Sequence, residues 1–465
     1  MVILYFANAV IKGEYMKKLT TLLLMLLLSC CFVLAGCGET PLTMPTGYET
    51  VYSNGGFVVG AGNYMYFANA YKDSSSLKSS SDNEGKNAED VSIKRVEKQT
   101  NSSWFNIVKD EENKISYEKV INKIAGYQVS NMFIANQYLY FTSPNIHKNK
   151  ENSYEFELST LFRIKLDGTG LKEVYTSKTA GIKMYLTADK TLLMFDDEKI
   201  MKLNAEIGED SFDILAEDVS GVEFPSNMEQ ELAWVYYTSN RDEDSLLTGN
   251  ILNKVSIATG DIIEVSAVSG QTIKIISQNY GRLFYTKSGK NDGLYSNDFS
   301  GSNSEILHRT LTEGIVDASD LMYIECENSN YNSFVFMYND NLYIQLITDT
   351  NDAQAVKVTS QKTTIQFSYG SYVYYSTDGG IYRYSVMDRI QKQIADNSNV
   401  NQGIMDFDGR YIYYFASDDN QESSTEYLYR ADAYVDGNFK VERVGELSEA
   451  DAKAIEEAES DQEQE

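Results

Sequence analysis

One phrase recurs along this chain: NYMYFAN, NQYLYFTS, WVYYTS, RLFYTKS, YVYYSTD and YIYYFAS. Successive side chains of a strand point to opposite faces, so Tyr138 and Tyr140 share one side of the second copy and Leu139 and Phe141 the other. Both sides are apolar, and such a strand has to be covered on both faces. Burying one tyrosine ring removes roughly 150–250 Å² from water. At about 25 cal/mol per Å² this is worth about 4–6 kcal/mol, an upper bound because the unfolded chain is already partly collapsed. A sheet wedged between two neighbouring sheets offers that environment.

A second phrase follows each run. It reads IKRVEK from Ile93, LFRIKL from Leu161, IMKL from Ile200, LNKVSI from Leu252, LYSNDF from Leu294, LYIQLI from Leu342, IYRYSV from Ile381 and LYRADA from Leu428. Its template is apolar, variable, often Lys or Arg, apolar. Turn residues come next, as in Asp167-Gly168-Thr169-Gly170 and Ser300-Gly301-Ser302-Asn303, and then a β-rich run such as EVYTS or EILHR.

The aromatic runs begin near residues 64, 138, 192, 234, 282, 334, 372 and 411. Such intervals fit one four-stranded blade plus connections of unequal length. Between residues 50 and 445 no segment of about 10–15 residues carries a helical pattern, which argues against repeated βαβ units. A sandwich would not explain eight copies of one phrase. The sequence therefore predicts an all-β chain, a β-propeller of four-stranded antiparallel blades over residues 47–445. Eight blades are expected, with seven as the alternative count. The N-terminal run ETVYS (49–53) matches the outer-strand run EVYTS and is expected to close one blade, so that both termini staple the ring.

The order Tyr-x-Tyr-aromatic, then Leu-Tyr-Arg-apolar, then Asp-Gly-Thr-Gly resembles the uncharacterised, tyrosine-rich propeller domain of clostridial-type cell-surface lipoproteins. That domain is similar to the low-density-lipoprotein-receptor type of propeller. The resemblance covers about residues 47–445 and departs from the pattern at Leu192-Leu193-Met194-Phe195 and at Ile344, where Arg or Lys is expected. It implies a fold and a cell-surface setting, and the family brings no catalytic residues to carry over.

The first 40 residues read as an address. From Met16 the chain runs MKKLTTLLLMLLLSCCFVLAGC, with Lys17 and Lys18 as a basic start and an apolar core from Leu22 to Leu28. Leu34-Ala35-Gly36-Cys37 resembles a bacterial lipobox. The expectation is a signal peptide over 1–36 with its true start at Met16, lipid on Cys37 and a short tether over 37–46. That places the protein outside the cytoplasm, held on the bacterial cell membrane by an N-terminal lipid. A transmembrane anchor needs about 20 apolar residues and gives no reason for the Ala-Gly-Cys ending.

The formal net charge of −28 repels nucleic-acid phosphates and anionic lipid headgroups, so no nucleic acid is expected as a partner. With Cys30 and Cys31 in the signal and Cys37 lipidated, Cys326 stands alone in the apolar run LMYIEC. It reads as a small buried hydrophobe, and neither an internal disulfide nor a cysteine zinc site is available. His147 and His308 are the only histidines, in a predicted loop and near a strand end, with no nucleophile motif beside them. Ser376-Thr377-Asp378-Gly379-Gly380 reads as a tight turn. Asp406-Phe407-Asp408-Gly409 and Asp340-Asn341 could offer oxygens to calcium, but the full loop pattern is absent. Arg95, Arg163, Lys202, Lys254, Arg383 and Arg430 are expected to lay their stems over inter-blade apolar surface and hold their charges in water. No catalytic or metal-ligating residue is named, and no cofactor is called for.

With the aromatic run as strand B and the Arg/Lys phrase as strand C, long polar insertions fall between B and C at 72–90, 144–160, 239–250 and 417–425. Three of these belong to copies one, two and eight, which become neighbours when the ring closes. Enlarged loops on one sector of a rigid scaffold suit recognition. The tail 446–465 is acidic and reads as solvated. The functional expectation is a surface-anchored, non-catalytic scaffold that binds an extracellular protein, peptide or glycan. The alternative is an extracellular carboxylate-dependent hydrolase or lyase acting on glycans.

Overall fold

Each aromatic run forms the second strand of an antiparallel sheet, and eight such sheets follow one another along the chain. The computed structural model describes residues 41–47, 51–52, 55–72, 92–98, 118–119, 129–148, 154–177, 179, 182–225, 231–241, 244–279, 282–289, 292–298, 304–308, 319–347, 355–378, 380–395, 400–417, 425–434 and 441–446. Strands A to D of each blade are consecutive in sequence. Blade 1 is Val58–Ala61, Tyr64–Ala68, Ile93–Glu97 and Glu118–Lys119. Blade 2 is Ser130–Ala135, Tyr138–Lys148, Tyr154–Lys165 and Lys172–Thr176. Blade 3 is Lys183–Leu186, Thr191–Asp196, Lys199–Asn204 and Asp213–Ala216, and blade 4 is Val219–Val222, Trp234–Asn240, Asn250–Ser256 and Ile262–Ser266. Blade 5 is Gln271–Asn279, Arg282–Gly289, Gly293–Asp298 and Ser304–His308, and blade 6 is Ser319–Ile324, Ser333–Tyr338, Asn341–Leu346 and Val356–Lys357. Blade 7 is Thr363–Tyr369, Tyr372–Thr377, Gly380–Ser385 and Ile390–Ala395, and blade 8 is Val400–Phe407, Tyr411–Ala416, Thr425–Asp432 and Val441–Arg443. The fold is an eight-bladed β-propeller. Among the described residues the only helical element is the single turn Ser329–Tyr331.

Strand B is covered on both faces, as its pattern demands. Tyr140, Tyr236, Tyr285, Tyr374 and Tyr413 are all fully buried. Phe133 stacks on Tyr140 at 5.0 Å and Phe367 on Tyr374 at 4.7 Å, within single blades. Between blades 5 and 6, Phe284 stacks on Tyr323 at 4.3 Å. The two copies that depart from the phrase still make regular blades. Leu192 and Met194 enter the cluster around Phe133 and Tyr140 from the next blade, and Ile344 joins Val335 and Val373. Their B–C turns are tight two-residue turns with left-handed backbone at Asp197 and Glu198 and at Asn339 and Asp340, the conformation that matches strand twist. Asp340 is thus a turn residue. Cys326 is 5% exposed among these apolar side chains, with its thiol 3.4 Å from the Tyr331 carbonyl.

The Arg/Lys positions are a correction to the sequence reading. Their heads do not reach water: Arg95, Arg163, Lys254, Arg383 and Arg430 are all buried. Instead, Arg95, Arg163, Lys202 and Arg383 cross to the next blade. Arg95 Nη1 donates to the Leu166 carbonyl at 3.4 Å, Lys202 Nζ to Ile257 at 2.8 Å and Arg383 Nη1 to Ala433 at 2.8 Å. Arg163 reaches the carbonyls of Gly208 and Glu209. Tyrosines of strand B join in, Tyr66 donating to Leu166 at 2.8 Å and Tyr140 to Ala205 at 3.0 Å. Each acceptor of the strand-C pattern (Leu166, Ala205, Ile257, Ala433) is the residue just after strand C. Its own N–H is spent inside its blade, on the carbonyls of Gln137, Lys190, Ala233 and Arg410 respectively. The cation also lies over the ring that opens strand B, Arg95 on Tyr64 at 4.1 Å and Arg383 on Tyr372 at 4.7 Å. A buried carbonyl without a donor is costly, which accounts for a tyrosine or cation donor at each of these four carbonyls.

The N-terminal run is the second correction. Val51 and Tyr52 pair with Ala61 and Gly60, on the free edge of strand A of blade 1. They do not supply an outer strand, because Val441–Arg443 fills that place in blade 8. All four strands of blade 8 come from the C-terminal part of the chain.

The shared acceptor predicts a non-additive pair. Tyr66→Phe alone should cost about 1 kcal/mol, since Arg95 still serves Leu166, whereas adding Arg95→Met strips the carbonyl and should cost about 1–3 kcal/mol more than the two singles together. Chemical denaturation of the four proteins of this cycle measures it, and strict additivity would show that the acceptor is not shared.

Candidate functional site

The ring must be closed where no chain connection runs, between blades 8 and 1, and polar groups concentrate there. Asp406, near the end of strand A of blade 8, reaches into blade 1 and accepts from the N–H groups of Phe57 at 2.9 Å and Val58 at 3.0 Å through Oδ2. Its Oδ1 accepts from Phe407 N at 2.8 Å. Only a glycine fits opposite, since a Cβ on Gly56 would lie 1.9 Å from Asp406 Oδ2. Two residues on, Asp408 accepts from Arg410 N at 2.8 Å and Tyr411 N at 2.7 Å through Oδ1, and from the Tyr413 hydroxyl at 2.7 Å through Oδ2. Tyr413 also approaches Met65 of blade 1, and Phe57 packs on Phe415 at 4.8 Å.

Dehydration sets the electrostatics of this seam. Burial pushes the Asp406 carboxyl up to about 7 and that of Asp408 up to about 6, against the backbone N–H bonds that favour their charged forms. Burial likewise lowers Lys98, just past strand C of blade 1, to about 8, partly offset by the Asp408 charge. Perturbed groups in a cluster often mark a catalytic site. Here every carboxylate oxygen is engaged by an N–H or O–H of the fold itself, so the cluster acts as a latch. Among the described residues no group of three metal-ligating side chains occurs.

Above the seam, on the end of the blades where B–C connections emerge, the chain is tied a second time. Strand B of blade 1 continues as Ala70–Lys72 and pairs with strand C of blade 8, Lys72 opposite Thr425, Tyr71 opposite Glu426 and Ala70 opposite Tyr427. Tyr71 lies 5.9 Å from Phe415. Lys94 pairs with Glu446, whose N–H donates to Asn69 at 2.8 Å, so the chain leaving blade 8 is fastened to blade 1.

The second insertion, 144–160, is not the loop expected of it. Strands B and C of blade 2 stay paired out to Lys148 and Tyr154, six residue pairs beyond Thr142–Leu161, with an irregularity at Pro144/Asn145. That is about 20 Å of extra ribbon, and the proline, which lacks an N–H, stands at the irregularity where it is tolerated. The alternation Tyr154, Phe156, Leu158 was the period-2 signal for this ribbon, masked by the polar run before it. His147 is in this ribbon opposite Glu155, and His308 ends strand D of blade 5 opposite Leu294.

Residues 73–91 and 418–424, most of two predicted insertions, lie outside the described residues, as do Cys37, the tail 447–465 and the segment 1–40. The third insertion, 239–250, is tied back to its own blade, Arg241 donating to Ala267 at 2.6 Å and Gly270 to Thr248 at 2.9 Å. In the run Ser376–Gly380, Thr377 ends strand B of blade 7 opposite Gly380, which begins strand C.

No family model matches the chain, and no curated protein matches it. Solved structures similar to it include an oligogalacturonate lyase in complex with manganese, with 11% identity and TM-score 0.42 over 64% of this chain and 86% of that one. A eukaryotic initiation factor shows 10% identity and TM-score 0.43 over 88% of this chain and 92% of that one. The dipeptidyl peptidase 4 of Porphyromonas gingivalis shows 12% identity and TM-score 0.43 over 85% of this chain and 60% of that one. These likenesses are too distant to carry an activity across.

The latch has a pH signature of definite sign. Because the folded values of Asp406 and Asp408 stand above the unfolded carboxylate value, the folded state holds more protons and stability falls as pH rises from about 4 to about 7. Lys98 is lowered and acts only above about pH 8. The thermal midpoint of wild type should therefore decline across that window, and Asp406→Asn should flatten the decline. A wild-type midpoint that climbs between pH 4 and 7 would contradict this account of the seam.

Proposed function

We propose that the protein is an extracytoplasmic lipoprotein, lipidated on Cys37, whose propeller is a non-catalytic scaffold binding an extracellular protein, peptide or glycan. The binding surface in this reading is the rim where the B–C connections of blades 8, 1 and 2 meet. The observation that carries it is the Ala70–Lys72 ladder with Thr425–Tyr427, which joins the roots of two long insertions across the seam. The blade 2 ribbon rises beside blade 1, whose Gly55 and Gly56 exchange backbone bonds with Met132. A rigid base under variable connections is the usual construction of a recognition surface. The seam carboxylates are spent on structure, so they supply no argument for glycan cleavage. Among the described residues no helix is long and apolar enough to cross a membrane, and attachment is therefore argued from the Leu34-Ala35-Gly36-Cys37 order alone.

Two measurements test the two halves separately. Cys37→Ser should abolish incorporation of labelled fatty acid, and a variant labelled as strongly as wild type removes the anchoring proposal. Replacing 73–91, 149–153 and 418–424 with short linkers should keep the ring folded, at a cost of about 0.6 kcal/mol per twofold change in loop length. A partner captured by the full chain should bind this variant at least about tenfold more weakly, while shortening 242–248 leaves it bound. Unchanged affinity in the triple replacement rules out the rim.

A further inference from the structure

Tyrosine is mainly a core residue here, which makes its exposed copies informative. Among the described residues the tyrosines most open to water are Tyr338 at 42%, Tyr369 at 51% and Tyr434 at 42%. Two of them share one seam, on the end of the blades opposite the long insertions, where A–B and C–D turns emerge. Tyr369 closes strand A of blade 7 and stands edge-on to Phe407 at 5.0 Å. Tyr434 follows strand C of blade 8 and meets Tyr372 edge-on at 6.4 Å. The Arg383 guanidinium lies 5.3 Å from the Tyr434 ring centre, and the residue as a whole is 42% exposed.

Beside this aromatic shelf stands an ion pair. Asp432 accepts from Tyr434 N at 3.0 Å through Oδ1 and takes Arg410 Nε and Nη2, both at 3.2 Å, on Oδ2. The Arg410 side chain is 41% exposed. The border of the shelf therefore offers donors and acceptors together with no net charge.

We propose that this shelf binds a neutral pyranose of an extracellular polysaccharide. The face of an aromatic ring is negative, and the axial C–H bonds of a pyranose are weakly positive and lie on one side of the sugar. Its hydroxyls donate and accept at once, as the Arg410–Asp432 pair does. Sites for small molecules combine an apolar or aromatic floor with a few oriented polar groups, and this one has both. An acidic sugar is disfavoured on a chain of net charge −28. It also finds Arg383 committed to the Ala433 carbonyl and the Arg410 charge already balanced by Asp432, which leaves donors and acceptors for hydroxyls but no net positive charge for a carboxylate. The shelf lies at the opposite end of the blades from the rim and does not depend on it.

Calorimetric titration of the full chain with cellohexaose, chitohexaose and mannohexaose tests the proposal, with hexagalacturonate and a decaproline peptide as comparators. At least one neutral hexasaccharide should saturate. Tyr369→Ala and Tyr434→Ala should each weaken it about tenfold, the scale of one lost ring contact. Tyr434→Phe, which keeps the ring, and Tyr338→Ala, at the other end of the blades, should bind as wild type. The proposal fails if no neutral hexasaccharide saturates or if only hexagalacturonate or decaproline binds. It fails equally if Tyr434→Ala binds as tightly as wild type while unfolding at the same temperature.

Discussion

Neighbouring blades are held together by a recurring backbone group, the carbonyl just past strand C in blades 2, 3, 4 and 8. The N–H of the same residue is bonded to the A–B turn of its own blade, while its carbonyl faces the preceding blade, away from water. A tyrosine hydroxyl, a cation or both from that preceding blade supply the donors: both at Leu166, the Tyr140 hydroxyl at Ala205, Lys202 at Ile257 and Arg383 at Ala433. The cation in turn needs compensation for its lost water and finds part of it over an aromatic face. The repeated phrases are thus one interaction seen from two strands. Lysine serves at position 202 because a single donor suffices there, whereas Arg163 spreads over two carbonyls and the Asp210 carboxylate.

The last blade shows what happens when this arrangement meets the chain ends. Arg430 turns to Glu442 of its own outer strand at 2.6 Å instead of reaching forward. The position past strand C of blade 1 is Lys98, a second cation, and two cations facing each other would repel. Asp408 sits between these demands, its charge near Lys98 and its oxygens held by Tyr413 and two N–H groups. The carboxylates are therefore the local solution to closing a ring without a covalent crossing. Their displaced titration follows from their place in the fold and requires no substrate.

The blade count and the all-β class were legible because they rest on local periodicity: a strand apolar on both faces reports its surroundings from five or six residues. Cys326 was legible for the same reason. The destination of each cation was not, because its acceptor is about one blade away in sequence and is a backbone carbonyl with no side-chain signature. The role of Asp406 was hidden further still, its partners Phe57 and Val58 lying at the other end of the chain. ETVYS misled because matching composition says that a run can be a strand but leaves open which edge it joins. The polar stretch before Tyr154 concealed a ribbon whose strand period was carried only by the short alternation Tyr154, Phe156, Leu158.

Function is harder to read for a related reason. In a repeat fold the recurrent residues are claimed by the joints between repeats, so what recurs here is structural almost by construction. Residues free to serve a ligand are those that break the repeat while staying supported by it. Tyr434 is such a residue: it stands one position past the carbonyl that Arg383 clamps, while Tyr372 at the start of strand B lies under that same cation. The Ala70–Lys72 ladder is another, since an extension of strand B that pairs across a seam is needed by no other joint described in the ring. Departures from the repeat that are held in place by hydrogen bonds, and not only by exposure, are where this chain has geometry to spare for a partner.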